Sequence, residues 1–99
     1  MREKEVEKKL VDEVKKRGGL CLKFVSPGFN GVPDRLLLLN KGKLSFVEVK
    51  RPGEKPRKLQ VHCHNLLRRL GFQVFVLDDV SQIEEIISET ERGKMTDGI

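Results

Sequence analysis

Two apolar runs, Leu36–Leu39 and Leu44–Val49, are separated by Asn40-Lys41-Gly42-Lys43. Runs this short, parted by a Gly-containing tetrapeptide, are accommodated by a β-hairpin. A hairpin brings the outer ends of the two runs together, and those ends carry charge. Gly31-Val32-Pro33-Asp34 leads into the first run, and Glu48-Val49-Lys50 closes the second. If Asn40 and Lys43 flank a two-residue turn, Asp34 lies opposite Val49, diagonal to Glu48 and Lys50. One further loop residue, or a bulge, puts Asp34 directly opposite Glu48. Glu48 and Lys50 are two apart and share a face of their strand.

Two carboxylates at one point can hold a hard divalent cation through oxygen. A lysine beside them can steer or activate a water, as metal-assisted phosphodiester hydrolysis requires. The plainer reading is a cross-strand ion pair at a sheet edge. The upstream Gly-x-Pro-Asp favours a site. Pro33 fixes its own φ and keeps Val32 out of the helical region, so the carboxylate of Asp34 is aimed by a rigid turn. Gly31 leaves room for a close backbone approach, with a phosphate as one candidate.

The remaining elements follow from periodicity. Residues 3–17 read as an amphipathic helix stopped by Gly18-Gly19. Residues 20–25 form a strand, and 26–33 a loop with two Pro and two Gly between positions 27 and 33. The run up to Leu39 is apolar enough to be covered on both faces. A basic loop, 51–58, precedes a second helix over 59–70 that Gly71 caps. Residues 72–77 form a strand. Ser81-x-x-Glu84 reads as a capping box opening a third helix with Ile83, Ile86 and Ile87 on one face. The expectation is an α/β fold in αβββαβα order, a mixed sheet of about four strands flanked by helices. The step from residue 44 to residue 77 is a parallel crossover. Residues 1–91 form one domain, and 92–99 a flexible tail.

The first helix carries a further candidate. At ~100° per residue, Leu10, Val14 and Val11 fall ~40°, ~80° and ~140° from Val6, and Glu7 falls at ~100°, inside the apolar arc. A carboxylate there must find a cation, a proton or a metal; its ordinary role is a dipole-favoured acid in a first turn. Glu7 is therefore a candidate metal ligand or orienter of water. Gln60, at the start of the second helix, can reach Lys50, a water or a phosphate. His62 and His64 stand ~200° apart on that helix and cannot share one ion; a structural role suits them best.

The chain has formal net charge +5, unevenly spread. Residues 41–69 carry nine Lys and Arg against Glu48 and Glu54, a local excess of +7, and residues 78–97 carry a local −5. A basic middle points to a polyanion, with nucleic acid the first candidate. Lys23, Lys55, Arg57, Lys58, Arg68 and Arg69 are the expected phosphate contacts, of low sequence specificity. With no Trp or Tyr and only five Phe, a base-stacking platform is poorly supported. No run of about 18 apolar residues and no secretory h-region is present, so no membrane and a cytoplasmic setting are expected. Cys21 and Cys63 have no metal-type spacing and read as reduced, buried thiols.

Gly31-x-Pro33-Asp34, Glu48-x-Lys50 and the downstream Gln60, in αβββαβ order, resemble the PD-(D/E)XK nuclease superfamily. More narrowly, they resemble the VRR-NUC domain in its small stand-alone phage form, over about Val6 to Leu77. Val6-Glu7-x-x-Leu10-Val11, with Gly18 ending the helix, is also similar to archaeal Holliday-junction resolvases. The resemblance implies a restriction-endonuclease-like core and an Mg²⁺- or Mn²⁺-dependent endonuclease. Asp34 and Glu48 would ligate the metal with the Val49 carbonyl, Lys50 would act on the water, and Glu7 would complete the site. It also implies branched, four-way DNA as substrate and a homodimer, whose two-fold axis suits a four-way junction. The third helix is one candidate dimer face. A sequence-specific restriction-type or flap nuclease, or a non-catalytic DNA-binding module, is the alternative.

Overall fold

The computed structural model describes residues 1–93. Helix α1 (Glu3–Lys16) is followed by strands β1 (Leu20–Lys23), β2 (Arg35–Leu39) and β3 (Lys43–Val49). Helix α2 (Lys58–Arg69), strand β4 (Gln73–Leu77) and helix α3 (Ile83–Arg92) complete the order. The sheet runs β1-β2-β3-β4, with the first three strands antiparallel and β4 parallel to β3. The αβββαβα order and the mixed four-stranded sheet match the sequence expectation. Gly93 caps α3, which extends to Arg92; positions 94–99 of the expected tail lie outside the described residues.

Local chemistry explains the element ends. The Gly18 and Gly19 amides donate to the carbonyls of Lys15 and Val14, and Gly18 takes φ +77°. This is a Schellman ending, which needs a residue tolerant of positive φ. Gly71 closes α2 the same way, with its amide on Arg68 and that of Phe72 on Leu67. The hairpin turn is a three-residue 3₁₀ turn over Asn40–Gly42, in which both Lys41 and Gly42 take positive φ. The longer loop decides the register: Leu39 pairs with Lys43 and Arg35 with Val47. Continued by one step, this register sets Asp34 opposite Glu48, the second of the two alternatives.

Two expectations are corrected. The capping box lies two residues earlier than Ser81-x-x-Glu84. Asp79 accepts from the Ser81 amide, Gln82 reaches back to the Asp79 amide, and a 3₁₀ turn (Val80–Gln82) leads into α3. Asp79 takes the role because it ends the extended segment after β4, whereas Ser81 already lies inside the turn. The second correction concerns β2, which is not covered on both faces: Leu37 and Leu39 are buried while Leu36 and Leu38 are only partly so.

The two faces of the sheet differ. On one face α1 and α3 close a core of Val6, Leu10, Val14, Leu37, Val47, Val49, Leu77, Ile83, Ile86 and Ile87. The Ile83-Ile86-Ile87 face is thus spent inside the chain, which removes α3 as the expected dimer face. The other face carries Leu22, Leu36, Phe46 and Val74 in one cross-strand row. There α2 packs beside β4, and Leu20 and Leu22 remain exposed.

Candidate active site

The site is built where β2 begins and β3 ends. Successive strand residues point to opposite faces. Arg35 and Val47 therefore face α1, while Glu48 faces α2. Glu48 is 1 % exposed, and it is surrounded rather than free. Gln60 Nε2 donates to its Oε2 at 2.8 Å, Lys50 Nζ lies 3.6 Å from the same oxygen, and His64 Nε2 lies 3.5 Å from Oε1. Among the described residues Oε1 has no hydrogen-bond donor of its own. Gln60 is itself fixed, since its Oε1 accepts from the Arg57 amide at 2.9 Å at the start of α2. Gln60 is buried, although it stands in the first turn of α2.

Asp34 stands just before β2. Its Oδ2 accepts from the Val49 amide at 2.9 Å, and its carbonyl accepts from the Phe24 amide. Burial pushes its carboxyl up to about 6; the Val49 amide opposes this and the nearby Glu48 carboxyl adds to it. Two carboxyl groups at close quarters, one of them fully buried, are what a bound cation would relieve. The preceding loop is anchored as well. Pro33 is buried, and Gly31 takes φ +87°. A Cβ on Gly31 would lie 2.7 Å from the Leu59 carbonyl oxygen. The close approach expected at Gly31 is therefore to the backbone of α2, not to a phosphate. It couples the loop carrying Asp34 to the helix carrying Gln60.

Glu7 found a cation. Arg35 Nε donates to its Oε2 at 2.7 Å, and Arg35 Nη1 donates to the Cys21 carbonyl. The pair sits on the α1 side of the sheet, one strand position from Asp34. Glu7, Asp34 and Lys23 nevertheless line one open cleft of about 240 Å³, with Glu3, Phe24 and Val25. The expected residues therefore form two adjoining groups. Glu48, Lys50 and Gln60 are buried under α2, Glu7 and Lys23 lie along the cleft, and Asp34 joins them.

Of the expected phosphate contacts, Lys55, Arg57, Lys58 and Arg69 are exposed around the start and end of α2. Arg68 is turned back, with Nη2 donating to the Val74 carbonyl at 2.7 Å. Two residues were not foreseen. Arg35 is an arginine opening an otherwise apolar strand beside Asp34, and it shares a face with α1. His64 follows Gln60 by four positions, the spacing that puts two helical residues on one face; weighing it only against His62 hides this.

The donor set suits a hard cation. Among the described residues no three His, Cys, Asp or Glu side chains form a ready-made cage. Mg²⁺ does not require one, since it commonly takes one or two carboxylates and leaves other positions to water and phosphate oxygens. Asp34, and Glu48 with an Oε1 that has no donor among the described residues, could supply those two carboxylates.

A mixed sheet whose hairpin carries Asp34, Glu48 and Lys50, braced by a buried Gln60, has the residue pattern expected of the PD-(D/E)XK nucleases. The comparisons are narrower. The chain is 56% identical over 85 residues to "Putative nuclease p44" of Acyrthosiphon pisum secondary endosymbiont phage 1, covering 84% of this chain and 91% of that protein. It superposes on a solved VRR_NUC domain with TM-score 0.82 at 32% identity, covering 89% of this chain and 97% of that one. No family model matches the sequence. The chain belongs to the VRR-NUC nucleases, in their phage form.

Proposed function

We propose that this nuclease is an Mg²⁺- or Mn²⁺-dependent endonuclease that cuts branched DNA, with the four-way junction as preferred substrate and a homodimer as working form. The observation that carries the reading is Glu48: a fully buried carboxyl group braced by Lys50 and Gln60, with Oε1 left without a donor among the described residues, beside the desolvated Asp34. Burying a charge is costly unless it is paired and hydrogen-bonded, and Oε1, unpartnered among the described residues, leaves part of that cost for a cation to offset. Asp34 and Glu48 would hold the ion, with the Val49 carbonyl as a further oxygen. When bound, the ion would neutralise phosphate charge and favour ionisation of water.

The protein's own groups do the rest. The Val49 amide and the Pro33 turn hold Asp34 in one direction. Gln60 fixes the rotation of Glu48. Lys50 is 9 % exposed and next to Glu48, placed to orient the attacking water and to stabilise charge gathering on the phosphate. Glu7 lines the same cleft as Asp34 and would complete the site once Arg35 shares it. Lys23, Lys55, Arg57, Lys58 and Arg69 would take DNA phosphates on either side, with Arg68 joining only if it leaves Val74.

The homodimer reading is supported by the uncovered sheet face. Leu20, Leu22 and Phe72 stay exposed beside Leu36 and Phe46, and apolar surface of this kind commonly marks an interface. Residues 1–91 would act as one nuclease unit. No helix among the described residues is long and apolar enough to cross a membrane. A cytoplasmic setting, where Cys21 and Cys63 stay as thiols, fits this reading.

The test is cleavage of a four-way junction, a flap and a linear duplex of matched sequence, with Mg²⁺, with Mn²⁺ and with chelator. Symmetric incision of the junction with either metal, and none with chelator, is expected. Discrete bands from the linear duplex would overturn the branched-DNA reading in favour of a restriction-type enzyme, and preferred incision of the flap would replace it with a flap nuclease. Metal-indifferent binding without cleavage would leave a DNA-binding module.

A further inference from the structure

Gln60 and His64 are one helical turn apart on α2, both buried, and both end on the carboxyl group of Glu48. The two divide that group between them. Gln60 donates to Oε2, and His64 Nε2 faces Oε1 at 3.5 Å. Oε1 and His64 Nε2 are also the buried side-chain atoms without any hydrogen-bond partner among the described residues. Leaving a buried polar atom unpaired costs about 1–3 kcal/mol, so two of them set face to face call for a use. A shift of about half an ångström would bring them to ordinary hydrogen-bond length. An imidazole protonated at Nε2 would then donate to Oε1, whereas the other tautomer would oppose two lone pairs.

We propose that His64 is a positioning residue for Glu48. As the Nε2–H tautomer, the ring clamps Oε1 as Gln60 clamps Oε2, and together they hold the carboxyl plane in one orientation for the cation. This rests on the reading of Glu48 as a metal ligand. Losing a partner that orients a metal ligand commonly costs about 10–100-fold in metal affinity. The exposed His62 lies on another side of α2 and serves as the control.

The experiment is a calorimetric titration of Mn²⁺ into the DNA-free protein, with melting temperature measured alongside. It compares wild type with His64→Leu, His64→Gln and His62→Leu. His64→Leu should weaken Mn²⁺ binding by about 10–100-fold. His64→Gln, which restores a donor of similar reach, should recover most of the loss, and His62→Leu should bind as wild type. If the leucine variant does not fold, His64→Asn replaces it, because its shorter amide should lose affinity that glutamine retains. Equal affinity in the glutamine variant and its leucine or asparagine counterpart would overturn the proposal in favour of packing alone. Wild-type affinity in His64→Leu would overturn this proposal and leave Glu48 as ligand. Absence of Mn²⁺ binding in wild type would overturn both.

Discussion

The two faces of β3 do opposite work. Ser45, Val47 and Val49 point toward α1 and α3, where the core is apolar apart from the hydroxyl pair of Ser45 and Thr90 at 2.8 Å. Glu48 points the other way, into a layer where α2 supplies Gln60 and His64. Both faces are buried, yet one is closed by packing and the other by hydrogen bonds around a carboxyl group. Alternation along a single strand lets one seven-residue segment serve both ends. The dry face fixes the fold, and the polar face carries the carboxyl group proposed as metal ligand, with Glu7 reaching the same cleft from the α1 side. Substitutions on the two faces should therefore fail in different ways.

The largest separation should come from Lys50→Met, which keeps the buried stem and removes the ammonium. Cleavage should fall by about 100–1000-fold, the usual cost of losing a charge-stabilising group, while the circular dichroism spectrum stays native. Leu10→Ala is the opposite case. It empties a fully buried position and should cost about 2–5 kcal/mol in denaturant unfolding. Its folded fraction should cut at nearly the wild-type rate. A folded Leu10→Ala protein that has lost activity would show that the two faces are not separable.

How much of this was legible in the sequence depended on how local each signal was. The hairpin, the pairing of Asp34 with the Glu48 strand and the placement of Glu7 on the buried side of α1 all follow from period and turn chemistry over a few residues. The register was not fixed by them. It turns on Lys41, a non-glycine residue at φ +66°, which nothing about a lysine announces. The capping box was ambiguous because Asp79-x-x-Gln82 and Ser81-x-x-Glu84 both fit the pattern, and only the end of β4 selects the first. Coverage of β2 was overestimated because α2 lies over β4, which leaves β1 and part of β2 open. His64 was hidden because its partner is four residues away in sequence and its target lies on another element.

Two smaller effects sharpen the contrast. Asp34 has its carboxyl raised from 3.8 to about 6 by burial, so the folded state binds more protons than the unfolded state between these values. Its ionisation therefore opposes folding as pH rises through that window. Asp34→Asn in metal-free protein should gain stability relative to wild type between pH 4 and pH 7, by about 1 kcal/mol once the partly exposed position is discounted for screening. The same proton competes with a cation, so Mn²⁺ binding should weaken as pH falls below about 6. A gain that is constant with pH would contradict the raised value. Glu7→Gln breaks a partly exposed pair with Arg35 and should cost no more than about 1 kcal/mol. A much larger loss of cleavage than of stability would place Glu7 in the chemistry, and parallel losses would confine it to the pair.

The most direct measurement is cleavage of a four-way junction by Glu48→Gln, with melting temperature recorded on the same sample. Glutamine keeps the shape of the side chain and removes the buried charge, so the protein should melt within a few degrees of wild type or above it. Cleavage with Mg²⁺ or Mn²⁺ should fall by at least about 100-fold. A variant that still cuts at the wild-type rate would contradict the assignment of Glu48, and with it the division of the sheet into a structural face and a catalytic one.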